Sequence, residues 1–259
     1  MQPHRPLGPP SLHQPTVGLV IIGNEVLSAK VVDANTPLLL QRVNEAGLRV
    51  AEVAIVPDEV ARIAQVIRDF SQRFALVITT GGVGPTHDDC TWKAVGQAFD
   101  RPMELQLELV DRIQAKTGQP LTLEQERLAW LPQGTQLSQA DGRWPLLFFE
   151  NVYVLPGVPS MVAGRIDHVL AQLRCERPAL LTVYLAVDEW SHVPQIDAVV
   201  AAFADLDVGS YPIFDVGDHR LRITLEGYDR QRVSLAAEQL VDSVGRSHLV
   251  RLEWREAHR

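Results

Sequence analysis

The chain has little of what several protein classes require. It has only two cysteines, Cys90 and Cys175, among 259 residues, too few for a disulfide-stabilised secreted domain. No stretch approaches the ~20 consecutive apolar residues that a membrane-spanning helix needs. Basic residues are outnumbered, and the net charge of −8 contradicts the basic surface of a nucleic-acid-binding protein. We therefore predict a cytoplasmic protein that binds neither nucleic acid nor membranes.

The remaining composition is that of a folded globular protein, except at the amino terminus. Hydrophobic residues make up 46% and charged residues 22% of the chain, which are ordinary values. Five of the first fifteen residues are proline, and this segment lacks the apolar run of a signal peptide. Such a segment cannot bury enough apolar surface to fold, so residues 1–15 are predicted to be a disordered leader.

Strand and helix patterns alternate along the first part of the chain. Continuous or alternating apolar segments at residues 17–22, 48–56 and 75–80 indicate strands, and helical spacing follows at 35–46 and after position 58. This β-α-β-α-β order predicts an α/β fold with three layers: a mostly parallel sheet covered by helices on both faces. The predicted domain extends over residues 16–174.

The pattern changes after a short linker at residues 174–178. Apolar alternation and helical spacing over residues 179–255 follow the order β-α-β-β-α-β, with a hairpin turn at residues 216–219. This order is typical of a small ferredoxin-like α+β domain. The sequence therefore predicts two domains of different architecture.

One short segment carries most of the functional information. The apolar strand at residues 76–80 ends in the glycine-rich turn 81–84, and Asp88 and Asp89 then precede a helix that begins near Thr91. Glycines let backbone N–H groups approach a ligand closely, and a helix amino terminus is partly positive, so this turn suits a phosphate. The carboxylates would repel a phosphate unless a divalent cation lies between them or one takes part in the chemistry. The alternative is a tight turn in which one aspartate only caps the helix.

Polar residues also follow the other predicted strands. Glu25 follows the first strand and Asp58 the second. Ligands of parallel sheets bind beyond the carboxyl ends of the strands, so these residues and the glycine-rich turn are expected to converge. Helix capping explains Asp58 equally well, and Glu25 needs only a cation or solvent as its partner.

Several segments, in this order, resemble the molybdopterin-binding (molybdenum-cofactor biosynthesis) domain family. Residues 81–91 resemble its signature loop, and residues 21–27, 56–58 and 151–159 resemble further elements. Within the family the chain is most similar to competence/damage-inducible protein A and to the amino-terminal domain of eukaryotic FAD synthases. Residues 209–212 resemble the second domain of the FAD synthase branch, and the resemblance covers roughly residues 16–255.

The residues and the resemblance together define the expected site. Asp89 is expected to be the critical carboxylate, because its counterpart is critical in the adenylyl-transferring members of the family, and Asp58 is expected to be a second catalytic residue. Divalent-metal ligands are expected at Asp88, Asp89 and Glu25. Phosphate or nucleotide contacts are expected from Gly81, Gly82, Gly84, Thr86, Thr91 and Gly157.

The leading functional hypothesis is a hydrolase of nucleotide pyrophosphates such as ADP-ribose or FAD, assisted by Mg²⁺, Mn²⁺ or Co²⁺, because the resemblance implies such activities. The second is a molybdopterin-binding or adenylyl-transferring protein of molybdenum-cofactor metabolism. The third is a non-catalytic module that binds a nucleotide or pterin. All three take a small-molecule partner, and we expect a homo-oligomer. The sequence alone names neither the substrate nor the metal.

Overall fold

In the computed structural model, the described residues are 15–138, 144–171, 173, 175–214 and 217–255. The leader predicted at residues 1–15 lies outside them except for Pro15, and so does Arg174 of the predicted linker. The chain divides into two compact units, Met1–Glu176 and Arg177–Arg259. We describe each unit by itself.

The described part of the first unit contains two sheets, and its longest strand segments are strongly apolar. Its strands are β1 (Thr16–Ile22), β2 (Arg49–Val56), β3 (Leu76–Thr80), β4 (Met103–Leu105), β5 (Trp130–Pro132), β6 (Gln136–Ser138), β7 (Leu146–Phe149) and β8 (Val152–Leu155). Six of them form one sheet in the order β2-β1-β3-β8-β7-β6. The strands β4 and β5 pair separately, antiparallel to each other.

The helices of the first unit follow the strands in alternation. They are α1 (Asn24–Leu27), α2 (Asn35–Glu45), α3 (Val60–Arg73), α4 (Thr91–Ala98), α5 (Leu107–Thr117), α6 (Leu123–Glu126) and α7 (Pro159–Leu170), with a 3₁₀ turn at Arg127–Ala129. Among the described residues, none of the helices is both long and apolar enough to cross a membrane.

The main sheet has the predicted mostly parallel arrangement. The strands β2, β1, β3 and β8 run parallel, whereas β7 and β6 add an antiparallel edge. This edge hairpin and the short strands β4 and β5 were not predicted. Strands of three or four residues are too short to show a period in the sequence.

Side chains of β1 supply both cores of the first unit. Val20 and Ile22 belong to one buried cluster, with α3 and α4, and Leu19 and Ile21 belong to another, with α2 and α7. Alternate residues of a strand face opposite sides of a sheet, so an uninterrupted apolar strand has helices on both faces. The predicted three-layer α/β architecture is therefore confirmed.

The second unit has the predicted ferredoxin-like topology. Its elements are β9 (Ala179–Leu185), a 3₁₀ turn (Trp190–His192), α8 (Val193–Ala202), β10 (Asp207–Pro212), β11 (Leu221–Gly227), α9 (Arg230–Val244), a 3₁₀ turn (Arg246–His248) and β12 (Leu249–Trp254). The sheet is antiparallel in the order β10-β11-β9-β12, and its core lies against α8 and α9. The predicted hairpin turn at 216–219 lies partly outside the described residues.

The backbone is unusually crowded where β1, β3 and β8 end. Gly81 has φ of +105°, and a Cβ atom on it would lie 2.0 Å from the carbonyl oxygen of Ile22. On the other side, a Cβ atom on Gly157 would lie 3.4 Å from the Cα atom of Gly81. Only glycine fits at position 81, because its conformation and the space around it both exclude a side chain.

We therefore expect Gly81→Ala to lower the free energy of unfolding by roughly 2–4 kcal/mol, through backbone strain and a clash that only a shift of the loop can relieve. Gly164→Ala is the control, because it lies within α7 and a Cβ atom there has open space. It should raise stability by roughly 0.5–1 kcal/mol. Chemical denaturation of both variants measures the difference, and equal stabilities would contradict this account of the strand ends.

Candidate functional site

The loop between β3 and α4 is held in place by its own backbone. The Thr91 hydroxyl donates to the Gly81 carbonyl oxygen (2.8 Å), and the Thr91 N–H donates to that of Gly82 (3.0 Å). The Gly81 N–H donates to the Leu155 carbonyl oxygen on β8 (3.2 Å). Thr91 is fully buried. In this structure the Thr91 hydroxyl and the Gly81 N–H therefore shape the loop, and the phosphate contacts expected of these two residues stay predictions.

The next three amides have a different environment. Within the described part of the chain, the N–H groups of Gly82, Val83 and Gly84 donate to no protein acceptor. A Cβ atom on Gly84 would lie 2.7 Å from an Asp89 carboxylate oxygen, so a larger residue would displace this carboxylate. The loop therefore presents three consecutive donors beside one carboxylate, and such a row of amides suits an anion.

Asp89 is bound by Thr86 and does not cap the helix. Its Oδ2 atom accepts the Thr86 N–H (2.8 Å) and the Thr86 hydroxyl. The residue at the start of α4 is Cys90, which makes no side-chain cap. The alternative of a capping aspartate is thus wrong for Asp89. Thr86, predicted as a phosphate ligand, instead orients the carboxylate through Oδ2, which leaves Oδ1 for a water, a cation or a substrate.

The other predicted carboxylates lie at neighbouring strand ends. Asp58 Oδ2 accepts the Asn24 N–H (2.7 Å), whereas α3 begins after Glu59 with no side-chain cap, so the capping alternative is wrong for Asp58 as well. Its Oδ1 atom lies 3.6 Å from the position that a Cβ atom on Gly82 would take. The Glu25 carboxylate turns back over Gly23, whose hypothetical Cβ atom is 2.6 Å from Oε1.

The loop residues between Thr86 and Thr91 are less closely integrated. The side chains of His87 and Asp88 are 95% and 61% exposed, and their nearest Nδ1–Oδ1 distance is 4.0 Å. Hydrogen bonding, chiefly with the Thr86 side chain, lowers the pKa of the Asp88 carboxyl. Burial first, and then the negative charge of Asp58, raises the pKa of the Cys90 thiol. A raised pKa disfavours the thiolate, which is the nucleophilic form of cysteine.

Asn35 connects the loop to the turn after β8. Its Nδ2 atom donates to the Thr80 hydroxyl (3.1 Å) and to the Gly157 carbonyl oxygen (2.7 Å), and the Thr80 hydroxyl donates to the Pro156 carbonyl oxygen (2.8 Å). Asp33 accepts the N–H of Asn35 (2.9 Å) and so anchors the start of α2. Asn35 was not among the predicted site residues, since nothing in the sequence shows that its amide bridges two strand ends.

A cavity of about 760 Å³, which we call the main cavity, opens beside the loop. Its lining includes all three loop glycines, Gly157 and the carboxylates of Glu25 and Asp89. Two positively charged residues that line the cavity were not predicted as site residues. Lys116 lies on α5 and Arg165 on α7, far from any sequence motif. Asp58 and Asp88 lie outside the described residues that line this cavity.

The predicted metal ligands do not form a ready-made cluster. No group of three or more His, Cys, Asp or Glu side chains suited to a metal ion occurs among the residues that the structure describes. Glu25 and Asp89 share the main cavity, whereas Asp88 is on the exposed part of the loop. Of the three predicted metal ligands, Glu25 and Asp89 thus line one cavity and Asp88 does not.

These features define an α/β domain with a cavity at the carboxyl ends of a parallel sheet, followed in the chain by a ferredoxin-like domain. Residues 18–175 match the family described as "Probable molybdopterin binding domain", and residues 178–253 match "FAD synthase, middle domain". The chain belongs to the molybdopterin-binding domain family, as the signature loop indicates.

Relatives cover both units. The chain is 30% identical to a protein of Pyrobaculum arsenaticum over 86% of its own length and 92% of that protein. It is 28% identical to a "Probable FAD synthase" of Caenorhabditis briggsae over 82% of its own length and 46% of that protein. The chain thus spans about half the length of the FAD synthase relatives that it matches.

One solved structure supports the fold of the first unit. The protein CinA of Thermoplasma acidophilum, whose structure title gives its function as unknown, matches 62% of this chain and 98% of its own chain. The TM-score is 0.57 and the sequence identity is 23%, so the similarity shows the fold alone.

The loop bonds predict different effects for two buried threonines. Thr91→Val removes the hydroxyl that holds Gly81, and it should lower the free energy of unfolding by roughly 1–3 kcal/mol. Thr79→Val is the control, because the Thr79 hydroxyl is equally buried but has no partner among the described residues. A methyl group there should leave stability unchanged or raise it. Denaturation curves in which both variants lose the same stability would contradict this description of the loop.

Proposed function

We propose that this protein hydrolyses nucleotide pyrophosphates of the ADP-ribose or FAD type. The observation that carries the proposal is the lining of the main cavity. Three amides without protein acceptors among the described residues, two carboxylates and two cations line this one space. Phosphate groups and the group that would activate a water can meet there. The volume of about 760 Å³ is within the range of ordinary small-molecule sites, about 300–1,000 Å³.

Phosphate binding is assigned to the loop amides together with Lys116 and Arg165. In the described part of the chain, no carboxylate lies within 4.0 Å of either cation. Burial lowers the pKa of the Arg165 guanidinium, yet arginine stays charged in proteins. Two uncompensated positive charges in a chain of net charge −8 favour an anionic ligand at this place.

A divalent cation fits the donor set if the substrate completes it. Mg²⁺ is usually held by one or two carboxylates together with substrate phosphates. Glu25 of the main cavity and Asp58 would hold the cation, because Asp58 Oδ1 makes no hydrogen bond within the described structure and Asp89 Oδ1 is assigned to the attacking water. When bound, such a cation would polarise the phosphoryl oxygens and neutralise the charge between ligand and carboxylates.

Asp89 is proposed as the general base. Thr86 fixes its Oδ2 atom, so Oδ1 can accept a proton from a water. The oxygen of that water forms a bond to phosphorus while the bridging P–O bond breaks and its electron pair leaves with the second phosphate. The loop amides, Lys116 and Arg165 would stabilise the charge that develops on the phosphoryl oxygens.

The family supports a second candidate, a molybdopterin-binding or adenylyl-transferring protein, because the matched description names that pterin. The FAD synthase similarity supports a flavin-containing ligand for the leading proposal. One experiment distinguishes the candidates. Phosphate-ester products from ADP-ribose or FAD with Mg²⁺, Mn²⁺ or Co²⁺ support hydrolysis. ATP-dependent adenylylation of molybdopterin supports the second candidate, and ligand binding without turnover supports a non-catalytic module.

Asp89→Asn tests the base. The amide keeps the size and an oxygen acceptor for Thr86 but removes the charge, so turnover should fall by ~10²-fold or more with near-native stability. Asp88→Asn, one residue away on the exposed part of the loop, is the matched control and should change turnover less than about threefold. Steady-state rates at saturating metal measure both effects. Equal rates for Asp89→Asn and the parent would refute the catalytic role.

Asp58→Asn separates two roles of the second carboxylate. An asparagine oxygen can still accept the Asn24 N–H, so stability should change by less than about 1 kcal/mol. If Asp58 also binds the cation, the metal concentration for half-maximal rate should rise by roughly tenfold. Metal titrations of the rate measure this, and an unchanged midpoint would restrict Asp58 to positioning the chain at Asn24.

A further inference from the structure

A second cavity joins the main one and differs from it in charge. It has a volume of about 860 Å³ and shares six lining residues with the main cavity: Lys116, Trp144, Pro145, Leu146, Met161 and Arg165. Its further polar lining residues are Arg112 and His168. We call this space the basic cavity, because no carboxylate occurs among the described residues that line it.

Two helices supply the basic side chains in matching pairs. Arg112 and Lys116 are one helical turn apart on α5, and Arg165 and His168 are nearly one turn apart on α7. Residues three or four positions apart lie on the same face of a helix. Each helix therefore presents its basic pair on one face, and both faces border the same space.

The charges in the basic cavity are only partly compensated. Arg112 is paired with Glu108 on its own helix, at 2.8 Å. Arg165 is only partly exposed and donates a weak hydrogen bond to the Met161 carbonyl oxygen (3.4 Å). Within the described residues, Lys116 and Arg165 have no carboxylate within 4.0 Å. Arg165 is partly buried and Lys116 is exposed, so an anion that enters the cavity stabilises chiefly the Arg165 guanidinium.

The available space exceeds what one nucleotide pyrophosphate needs. Each of the two cavities is by itself as large as an ordinary small-molecule site. The main cavity already contains the loop amides and the carboxylates to which the reacting phosphates are assigned. The basic cavity is therefore room for a further part of the same ligand, and a lining with basic side chains and no carboxylate among the described residues favours an anionic part.

We propose that the basic cavity binds a terminal phosphomonoester of the substrate, so that the protein favours nucleotide pyrophosphates that carry an additional phosphate on the ribose. The proposal rests on the proposed function for the placement of the pyrophosphate. A phosphomonoester carries up to two negative charges and three acceptor oxygens, which match a site of several cationic donors. A neutral sugar or base would form no ion pair with the basic side chains of this cavity.

Matched ligand pairs test this with the full-length protein. Calorimetry compares ADP-ribose with ADP-ribose 2′-phosphate, and dephospho-coenzyme A with coenzyme A, once with EDTA and once with Ca²⁺. The added phosphate should tighten binding by ~10-fold or more in at least one pair. The pair that responds identifies the position of the phosphate. Equal affinities within both pairs, or no binding of any of the four ligands, would overturn the proposal.

A double variant tests whether the basic cavity causes the tighter binding of the phosphorylated ligand. Arg112→Gln/His168→Gln changes only residues of the basic cavity outside the main cavity, so it should reduce the preference by at least ~5-fold and change the affinity for the unphosphorylated partner by less than about twofold. Arg62→Gln/His248→Gln removes the same residue types from exposed surface positions and should leave the preference unchanged. If Arg112→Gln/His168→Gln keeps the full preference for the phosphorylated ligand, the assignment of the phosphomonoester to the basic cavity is overturned.

The outcomes keep the two proposals separate. Hydrolysis of unphosphorylated substrates without any preference would overturn the terminal-phosphate site and leave the proposed function intact. A clear preference in binding without hydrolysis under any metal would overturn the proposed function and retain the site.

Discussion

The close approach of three backbone segments at the carboxyl ends of β1, β3 and β8 governs the rest of the first unit. The Gly81 N–H and carbonyl oxygen bind Leu155 and Thr91, while its Cα atom packs between Ile22 and Gly157. These contacts use all the hydrogen-bonding groups of Gly81. The chain leaves β3 in a single conformation, and the next three amides face no protein acceptor in the described structure. A tightly packed backbone thus fixes the three amides on which the proposed phosphate contacts depend.

The carboxylates and the cations of the candidate site come from different secondary-structure elements. The carboxylates of Glu25, Asp58 and Asp89 follow strands or the glycine-rich loop, so the sheet places them. The cations Lys116 and Arg165 come from the helices α5 and α7. A polyanionic substrate that meets only carboxylates would be repelled, and one that meets only cations would lack a base. Bringing both kinds of group to one cavity provides for binding and for chemistry.

The candidate site and the match to the FAD synthase middle domain lie in different units. All candidate site residues belong to the first unit, which matches the molybdopterin-binding family over 18–175. The second unit matches the FAD synthase middle domain and has its own core. The FAD synthase relatives are about twice as long as the region that they share with this chain, so their activity is only proposed for it.

Local sequence determines much of the fold of this protein and the position of its candidate site. Apolar alternation specified the parallel strands and the ferredoxin-like order, and the glycine-rich turn with Asp89 located the site, because strand periodicity and turn chemistry are short-range properties. Tertiary structure decided the roles of individual groups. Thr86 and Thr91 became internal supports, Asn35 became a bridge, and Lys116 and Arg165 entered the cavity. Hydrogen-bond partners distant in sequence, and helix faces that meet only after folding, leave no periodic signal in the chain.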